Sequence, residues 1–246
     1  MTDSIQDIYR KEFIDRLTQG QSPLRRSVRT AEGDRAALTE YWVGSRRTGV
    51  NILTAPGEVR ASIQDGAVRE LNTRINRNII DVLRTATQHS GPATRDCVAL
   101  VMFGLAALGN NSVPLDGNIS AVITPAYLAH LMQTKEFASA EFVGDVPFSS
   151  ALTVYRWAGV NFIVHPNLPG RGTGEEKCFM YHKDAVCHTW AIGAVGTTIG
   201  VTDVDGKAYP SRMGLDYSWA GASLSMGARL TNPDGVFVMN HDGSDL

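Results

Sequence analysis

Apolar residues recur at helical spacing in two separate parts of the first half of the chain. The first set predicts a weakly amphipathic helix over 4–18 and consists of Ile5, Ile8, Tyr9, Phe13 and Leu17. The second set predicts a long helix over 66–89 with one apolar stripe, formed by Val68, Leu71, Ile75, Ile79, Val82 and Ala86. Because a helix as short as the first is not stable alone in water, we expect it to dock on its own chain or on a neighbouring copy.

A third helix is predicted over 94–109, and its pattern differs from the other two. The run from Cys97 to Leu108 has no polar face, which is typical of a buried helix, and a dozen apolar residues are too few to span a membrane. Thr94 is the expected N-cap, and Gly109 with Asn110 marks the end. We therefore expect this helix to be covered on all sides.

Extended segments are predicted towards both ends of the chain. Leu38–Val43 and Val50–Leu53 predict a hairpin that has few large apolar residues, with Arg46 and Arg47 in its turn. Such a hairpin is marginal alone, so we expect it to project and to pack elsewhere. In the second half, strands are predicted at 119–123, 160–164, 177–186 and 190–201, with a helix capped by Thr124-Pro125 after the first of them. The alternating pattern after Tyr217 and the segment 236–240 predict a terminal hairpin, which gives an α+β fold class.

Composition places the chain among folded globular proteins and excludes several classes. The 246 residues are 43% apolar and 20% charged, enough for one large or two small domains. Residues 1–100 hold 15 Lys and Arg against 12 Asp and Glu, and residues 101–246 hold 8 against 13, so neither half is basic enough for a nucleic-acid-binding domain. With no run of 18 apolar residues and a polar start, we expect no membrane span and no secretory signal.

Metal-binding residues cluster at one place in the sequence, at Cys178, His182, Cys187 and His188. Four such groups within eleven residues could hold zinc, but their spacing matches no paired-knuckle motif. On a strand over 177–186, Cys178 and His182 would share one face and Cys187 would lie on the other. Core or interface residues are therefore the favoured interpretation, and a small zinc-dependent enzyme that uses Cys178, His182 and His188 stays as an alternative.

Other candidate sites do not carry a complete motif. Asp203 and Asp205 resemble the start of a calcium loop whose remaining ligands are missing, and a tight turn explains them better. The glycines of 170–174 precede no phosphate-binding helix. His165 and His241-Asp242 could suggest acid–base catalysis, but no Ser or Cys lies in a nucleophile motif. We therefore predict no catalytic residue, no metal site and no cofactor, and a protein that is not an enzyme.

Several strings in the second half resemble a known family. They are YRWAGVNFIVHPNLPG at 155–170, KCFMYHK at 177–183, and YSWA, MGARL and GVFVMNHD between 217 and 242. Together they are similar to the major capsid proteins of tailed bacteriophages with the Hong Kong 97-type fold. The similarity covers mainly 118–242, and the first half agrees in the order of its elements.

The resemblance implies a division of the chain into named parts. Residues 1–35 would be an N-terminal arm and 36–62 an extended hairpin called the E-loop. Residues 63–113 and 215–246 would form a peripheral domain that contains a long spine helix at 66–89, and 114–214 would form an axial domain around the symmetry axes. Because 36–62 contains no lysine, we expect no covalent cross-link through an E-loop lysine.

The resemblance also implies a function without chemistry. Copies of the chain would form hexamers and pentamers of an icosahedral head that encloses double-stranded DNA without sequence-specific binding. The expected location is the virion, after assembly in the host cytoplasm, with portal, scaffolding and decoration proteins as further partners. An encapsulin-like compartment is the alternative with the same fold. The expected assembly contacts are Ile8, Tyr9 and Phe13 of the arm, Arg46 and Arg47 of the E-loop, and Val68, Leu71, Ile75 and Ile79 of the spine helix.

Overall fold

The computed structural model describes residues 5–33, 38–48, 57–138, 154–202 and 217–245. Its helices are α1 (Ile5–Gln19), α2 (Pro23–Arg26), α3 (Gly57–Leu83), α4 (Cys97–Asn110), α5 (Pro125–Gln133) and α6 (Lys135–Ala138). Its strands are β1 (Arg29–Glu32), β2 (Thr39–Thr48), β3 (Ile119–Ile123), β4 (Val154–Trp157), β5 (Val160–Val164), β6 (Glu176–His182), β7 (Val186–Trp190), β8 (Gly196–Thr202), β9 (Tyr217–Leu230) and β10 (Val236–His241). This mixture of helices and sheets confirms the predicted α+β class.

The chain divides into two compact units, each made of three segments. The first unit contains Met1–Ser22, Ala31–Arg77 and Thr189–Gly227. The second unit contains Pro23–Thr30, Asn78–His188 and Ala228–Leu246. The boundaries of the arm, E-loop, peripheral and axial parts stay predictions. Within the described residues, no helix is long and apolar enough to cross a membrane.

One five-stranded sheet has the strand order β1-β7-β9-β2, with β8 also paired to β9. Strand β2 runs antiparallel to β9, from Thr39 opposite Met226 to Thr48 opposite Tyr217. The predicted turn at 44–49 is therefore wrong as far as Thr48, because Arg46 and Arg47 lie inside β2. A strand partner from the far end of the chain completes the backbone hydrogen bonds that a local turn would have interrupted. The predicted return strand at 50–53 lies outside the described residues.

Helix α3 lies where the sequence predicts a long helix over 66–89, with shifted ends. It begins at Gly57 instead of 66. It ends at Leu83 instead of 89 because the following backbone finds other partners: the amide of Ser90 donates to Val238, and the amide of Val238 donates to Gln88. A parallel β-bridge between His89 and Val238 thus replaces the last predicted helical turn.

The second sheet lies wholly in the second unit and has the strand order β10-β6-β3-β5-β4. Strands β3 and β5 are parallel, and the other neighbours are antiparallel. Every residue of β3 is buried, as expected for a central strand. Helix α4 packs against this sheet at Gly104, where a Cβ atom would lie 2.9 Å from Met180 Sδ and 3.3 Å from Phe237. This close approach is why a glycine fits at that position.

Local capping signals were predicted with mixed success. Thr124 caps α5 as predicted, its hydroxyl accepting a hydrogen bond from the amide of Tyr127, with Pro125 as the first helical residue. Helix α4 is capped by Asp96 and not by the predicted Thr94, since the Asp96 carboxylate accepts from the amide of Ala99 at 2.9 Å. A cap must lie one residue before the helix, and α4 starts at Cys97.

Two predicted strand arrangements are corrected. The single strand at 177–186 is two strands, β6 and β7, separated by a 3-10 turn at Lys183–Ala185. The predicted terminal hairpin is not formed, because β9 pairs with β2, whereas β10 pairs with β6 in the other sheet. A turn at Pro233–Gly235 separates these two strands. Although β9 and β10 are joined by a short turn, each of them pairs with strands that lie elsewhere in the sequence.

Candidate functional site

The residues proposed as arm contacts mostly form part of the subunit's own core. Tyr9 and Phe13 of α1 are buried, and Ile8 remains 39% exposed. Polar bonds fix the helix beside the start of α3: Arg16 pairs with Asp65 at 2.7 Å, and the Gln64 amide donates to the carbonyl of Tyr9 at 3.2 Å. Neither Tyr9 nor Phe13 offers exposed surface to a neighbouring copy. An assembly role for these two residues stays a prediction.

The spine-helix contacts show the same pattern. Val68, Leu71, Ile75 and Ile79 are all buried, and the last three are fully covered. Burial at spacings of three and four residues confirms the apolar stripe that the sequence predicted. Their side chains stabilise the subunit itself, and a direct contact with a neighbouring copy stays a prediction. The backbone of Arg46 and Arg47 lies in β2, opposite Trp219 and Ser218.

Large apolar side chains are exposed at places that the sequence analysis did not select. On α4, Met102 is 43% and Phe103 60% exposed, so the expectation of a helix covered on all sides is wrong. Leu115, shortly after α4, and Trp42 of β2 are also exposed. The available signal was geometric: an all-apolar helix that packs on one side of a sheet must turn its other side outward. We call Met102 and Phe103 the α4 face.

The predicted zinc residues occupy separate environments. Cys178 is fully buried in the middle of β6, opposite Met239 of β10, and burial raises the pKa of its thiol to about 12. His182 ends the same strand, and its Nε2 lies 3.2 Å from the carboxylate of Asp116. Hydrogen bonds from Asn118 are the main reason why the pKa of Asp116 falls to about 2.

His188 is buried next to a cation. The Arg25 guanidinium donates to its Nδ1 at 3.3 Å, and both side chains are almost completely covered. Burial, assisted by the charge of Arg25, lowers the pKa of His188 to about 4, so this imidazole is neutral near pH 7. The residue thus contributes to the interior of the second unit.

A different group brings metal-binding atoms together. Within the part of the chain that the structure describes, Cys97, His130 and His241 offer ligand atoms that all lie within 4.8 Å of one another. Cys97 is the first residue of α4, His130 lies on α5 and His241 ends β10. In the sequence, His241 stands beside Asp242, and no spacing rule connects it to residues more than a hundred positions away.

A buried carboxylate completes this group. Glu176 lies opposite His241 in the register of β6 and β10, and its Oε2 is 2.9 Å from His241 Nδ1. The same oxygen accepts from the hydroxyl of Thr124 at 2.5 Å, and Oε1 accepts from the amide of Gly172 at 2.7 Å. Burial opposes ionisation, but these hydrogen bonds together lower the pKa of Glu176, so it is a carboxylate near pH 7.

The two imidazoles of the group face each other. His130 Nδ1 lies 2.9 Å from His241 Nε2, and the other nitrogen of His130 lies 3.3 Å from the carboxylate of Asp245. Burial lowers the pKa of His241, outweighing the opposite effect of Glu176. The arrangement is a pair of neighbouring imidazoles with one carboxylate at each outer end, Asp245 beside His130 and Glu176 beside His241.

Comparisons with known proteins identify the kind of protein that carries these features. A family model described as phage capsid protein matches residues 81–242, more than half of the chain. Comparison with curated protein sequences gives no match.

Solved structures extend the likeness to almost the whole chain. A protein of Mycobacterium phage Che8 is 20% identical, with 82% of this chain and 70% of that chain covered and a TM-score of 0.60. The virus-like particle from Pyrococcus furiosus is 15% identical over 96% of this chain and 100% of its own, with a TM-score of 0.57. The SrpI encapsulin from Synechococcus elongatus PCC 7942 is 12% identical over 92% and 90%, with a TM-score of 0.59.

At these identities the structures establish the fold, which is the predicted Hong Kong 97-like fold of phage capsids and encapsulins. The family itself is established by the sequence match over 81–242, which includes β3, β6, β10 and most of the second unit. The chain therefore belongs to the phage capsid protein family.

Proposed function

We propose that copies of this chain assemble as hexamers and pentamers into the icosahedral head of a tailed bacteriophage that encloses double-stranded DNA. The observation that carries the proposal is the phage capsid match over residues 81–242. The charge balance agrees with it: net charge is −2, and 101–246 hold 13 acidic against 8 basic residues. A lining without strong positive charge contacts packaged DNA without trapping it at particular sequences.

The α4 face is our candidate for a contact between copies. Met102 and Phe103 lie exposed on a helix whose first and last turns contain no charged residue. Exposed neighbouring apolar side chains of this size mark interaction surfaces. A second copy is the partner we assign, because members of a shell family contact one another over repeated interfaces that are individually modest and collectively stable.

The role is structural, and we propose that the protein performs no reaction. Its place is the virion, after assembly in the host cytoplasm. Portal, scaffolding and decoration proteins are the further partners of such a head.

Purification of the chain expressed alone in bacteria tests the proposal. Negative-stain electron microscopy and analytical ultracentrifugation should show closed shells, or rings of five or six copies, in equilibrium with free subunits. The Phe103→Asp variant should remain folded by circular dichroism and shift this equilibrium to free subunits. A wild-type chain that stays a monomer at every concentration would contradict assembly.

An encapsulin-like compartment is the second candidate, favoured by one observation. The match with the SrpI encapsulin covers 92% of this chain and 90% of the encapsulin chain. The match with the Pyrococcus furiosus virus-like particle covers 96% of this chain and 100% of the particle's chain. The two candidates differ in content, so particles isolated from their natural source should be compared by ultraviolet absorbance and mass spectrometry. A nuclease-protected DNA genome supports the phage head, and a protein cargo without DNA supports the compartment.

A further inference from the structure

We propose that Cys97, His130 and His241 bind one divalent transition-metal ion of the zinc class inside the second unit. The ligand atoms would be Cys97 Sγ, His130 Nδ1 and His241 Nε2. One ligand atom from each residue lies within 4.8 Å of the other two, and these two nitrogens are 2.9 Å apart. Sulfur and imidazole nitrogen are the ligands that zinc prefers in proteins. This inference does not depend on the capsid role, because it concerns the interior of one subunit.

The first argument is the proton on His241. The hydroxyl of Thr124 donates to Glu176 Oε2 and the amide of Gly172 donates to Oε1, so both oxygens of this carboxyl group act as hydrogen-bond acceptors. His241 Nδ1 at 2.9 Å must therefore carry the proton that it donates to Glu176. In the neutral imidazole this leaves a lone pair on Nε2, which is the nitrogen that faces His130.

The same reasoning applies to His130 from the other side. Its Nε2 lies 3.3 Å from the carboxylate of Asp245, which is itself paired with Arg95 at 3.0 Å. Arg95 also binds Asp242 at 3.0 Å, so the guanidinium holds this part of the tail in place. His130 Nε2 is then the donor, and the lone pair of the neutral ring lies on Nδ1.

Two lone pairs therefore face each other at 2.9 Å. Two acceptors at that distance repel each other unless a cation lies between or beside them, and the candidates are a shared proton and a metal ion. Cys97 offers its sulfur within 4.8 Å of a nitrogen of each ring, and this third ligand suits a metal ion better than a shared proton. Imidazoles whose second nitrogen donates to a carboxylate are the arrangement found around protein-bound zinc, where the carboxylate orients the ring and raises its basicity.

Cys97 supplies the atom that distinguishes a metal from a proton. Its side chain is fully buried, and in the metal-free chain the thiol donates weakly to the carbonyl of Tyr127 at 3.6 Å. Metal binding would release this proton to solvent. Around tetrahedral zinc, neighbouring nitrogen and sulfur ligands are about 3.3–3.6 Å apart, so movements on the order of 1 Å would bring these three into place. Water would take the fourth position.

The consequence of such a site is mechanical. The three ligands come from the start of α4, from α5 and from the end of β10, which are joined by long stretches of chain. One ion would cross-link these elements and would hold strand β10 to the rest of the unit. Stability of the unit would then depend on metal.

Cobalt titration of the whole chain tests the proposal. Protein stripped with a chelator should bind about one Co²⁺ per chain, with the absorption bands of tetrahedral cobalt and a thiolate-to-cobalt charge-transfer band, and Zn²⁺ should displace the cobalt. Cys97→Ser should lose the charge-transfer band, whereas the matched control Cys187→Ser should keep it. Glu176→Gln should keep the band and weaken binding by about 10–100-fold, since it only orients His241.

Measurements on the wild-type chain keep the test decisive if a variant fails to fold. X-ray absorption of the zinc-loaded protein should show one sulfur and two imidazole nitrogens, and zinc should raise the melting temperature of the stripped chain. A folded wild-type chain that binds no stoichiometric Co²⁺ overturns the proposal and leaves the shared proton between the imidazoles. Binding with no sulfur ligand overturns it as well.

Discussion

Helices α1 and α4 differ in how much of their apolar surface the subunit covers. Helix α1 has a weak apolar face and was expected to dock on its own chain or on a neighbouring copy, and Tyr9, Phe13 and Leu17 are buried within the subunit. Helix α4 is apolar on every side and was expected to be covered, yet Phe103 is 60% exposed. The apolar pattern of a helix shows how much of its surface can be buried. The elements that pack against the helix determine how much of that surface is buried.

The difference separates two uses of apolar surface. A face that the subunit covers by itself contributes to folding, and a face that it leaves uncovered is available for another copy. The four predictions below test this distinction in order of their expected effect on the stability of the single subunit.

The largest effect is expected in α1. Phe13→Ala removes a fully buried ring and should lower the free energy of unfolding by about 3–5 kcal/mol. Ile8→Ala on the exposed side of the same helix should cost less than about 1 kcal/mol. Urea unfolding of the unassembled chain measures both. Equal effects at the two positions would show that α1 is not seated as described.

The second largest effect is expected from acid, which should lower the stability of the second unit by protonating His188. The pKa of His188 is lowered from 6.5 to about 4 by burial and by Arg25, so the unfolded chain binds a proton at pH values where the folded chain does not. The stabilisation is complete above pH 6.5 and is lost as pH falls towards 4, by about 3 kcal/mol in total. His188→Gln keeps an acceptor for Arg25 and should remove this part of the pH dependence. Urea unfolding at a series of pH values measures the change. If the free energy of unfolding of His188→Gln depends on pH as it does in the wild type, His188 is not the source of this pH dependence.

The correct and incorrect sequence predictions have different physical origins. Thr124-Pro125 identified the start of α5 because a cap and its helix are neighbours in sequence, and β3 was located because four of its five residues are apolar. Arg46 and Arg47 were placed in a turn because the glycines beside them favour one, while their strand partner β9 lies about 170 residues away. Local chemistry reports on caps and periodicity, and it contains no information about distant pairing.

The metal-binding residues illustrate the same limit. Sequence proximity drew attention to Cys178, His182 and His188, which have separate environments. Cys97, His130 and His241 meet only because α4, α5 and β10 are brought together in the second unit. Glu176 joins them through a strand register that no spacing rule provides.

Helix α4 contains two glycines in different surroundings: Gly104 lies against the sheet, and Gly109 lies near the end of the helix with more space around it. Gly104→Ala would place a Cβ 2.9 Å from Met180 Sδ, and after the gain in helix propensity we expect a net loss of about 1 kcal/mol. At Gly109 the nearest atom is a Leu115 methyl at 3.9 Å, so Gly109→Ala should stabilise the chain by about 0.5–1 kcal/mol. Thermal unfolding of both variants gives the sign of each change. Stabilisation at both positions would mean that α4 is loosely packed against its sheet.

The smallest effect on the single subunit is expected at the α4 face, where the effect on assembly should be large. Phe103 is 60% exposed, so Phe103→Ser should change the free energy of unfolding by no more than about 0.5 kcal/mol. If Phe103 is buried between copies, loss of its apolar contact weakens each interface by about 1.5–3 kcal/mol, which raises the critical concentration for assembly about tenfold or more. Phe103→Leu keeps apolar area and should assemble nearly as well as the wild type. Sedimentation velocity over a concentration series measures the shift, and normal assembly of Phe103→Ser would move the search for the interface to Trp42 and Leu115, two further exposed apolar side chains.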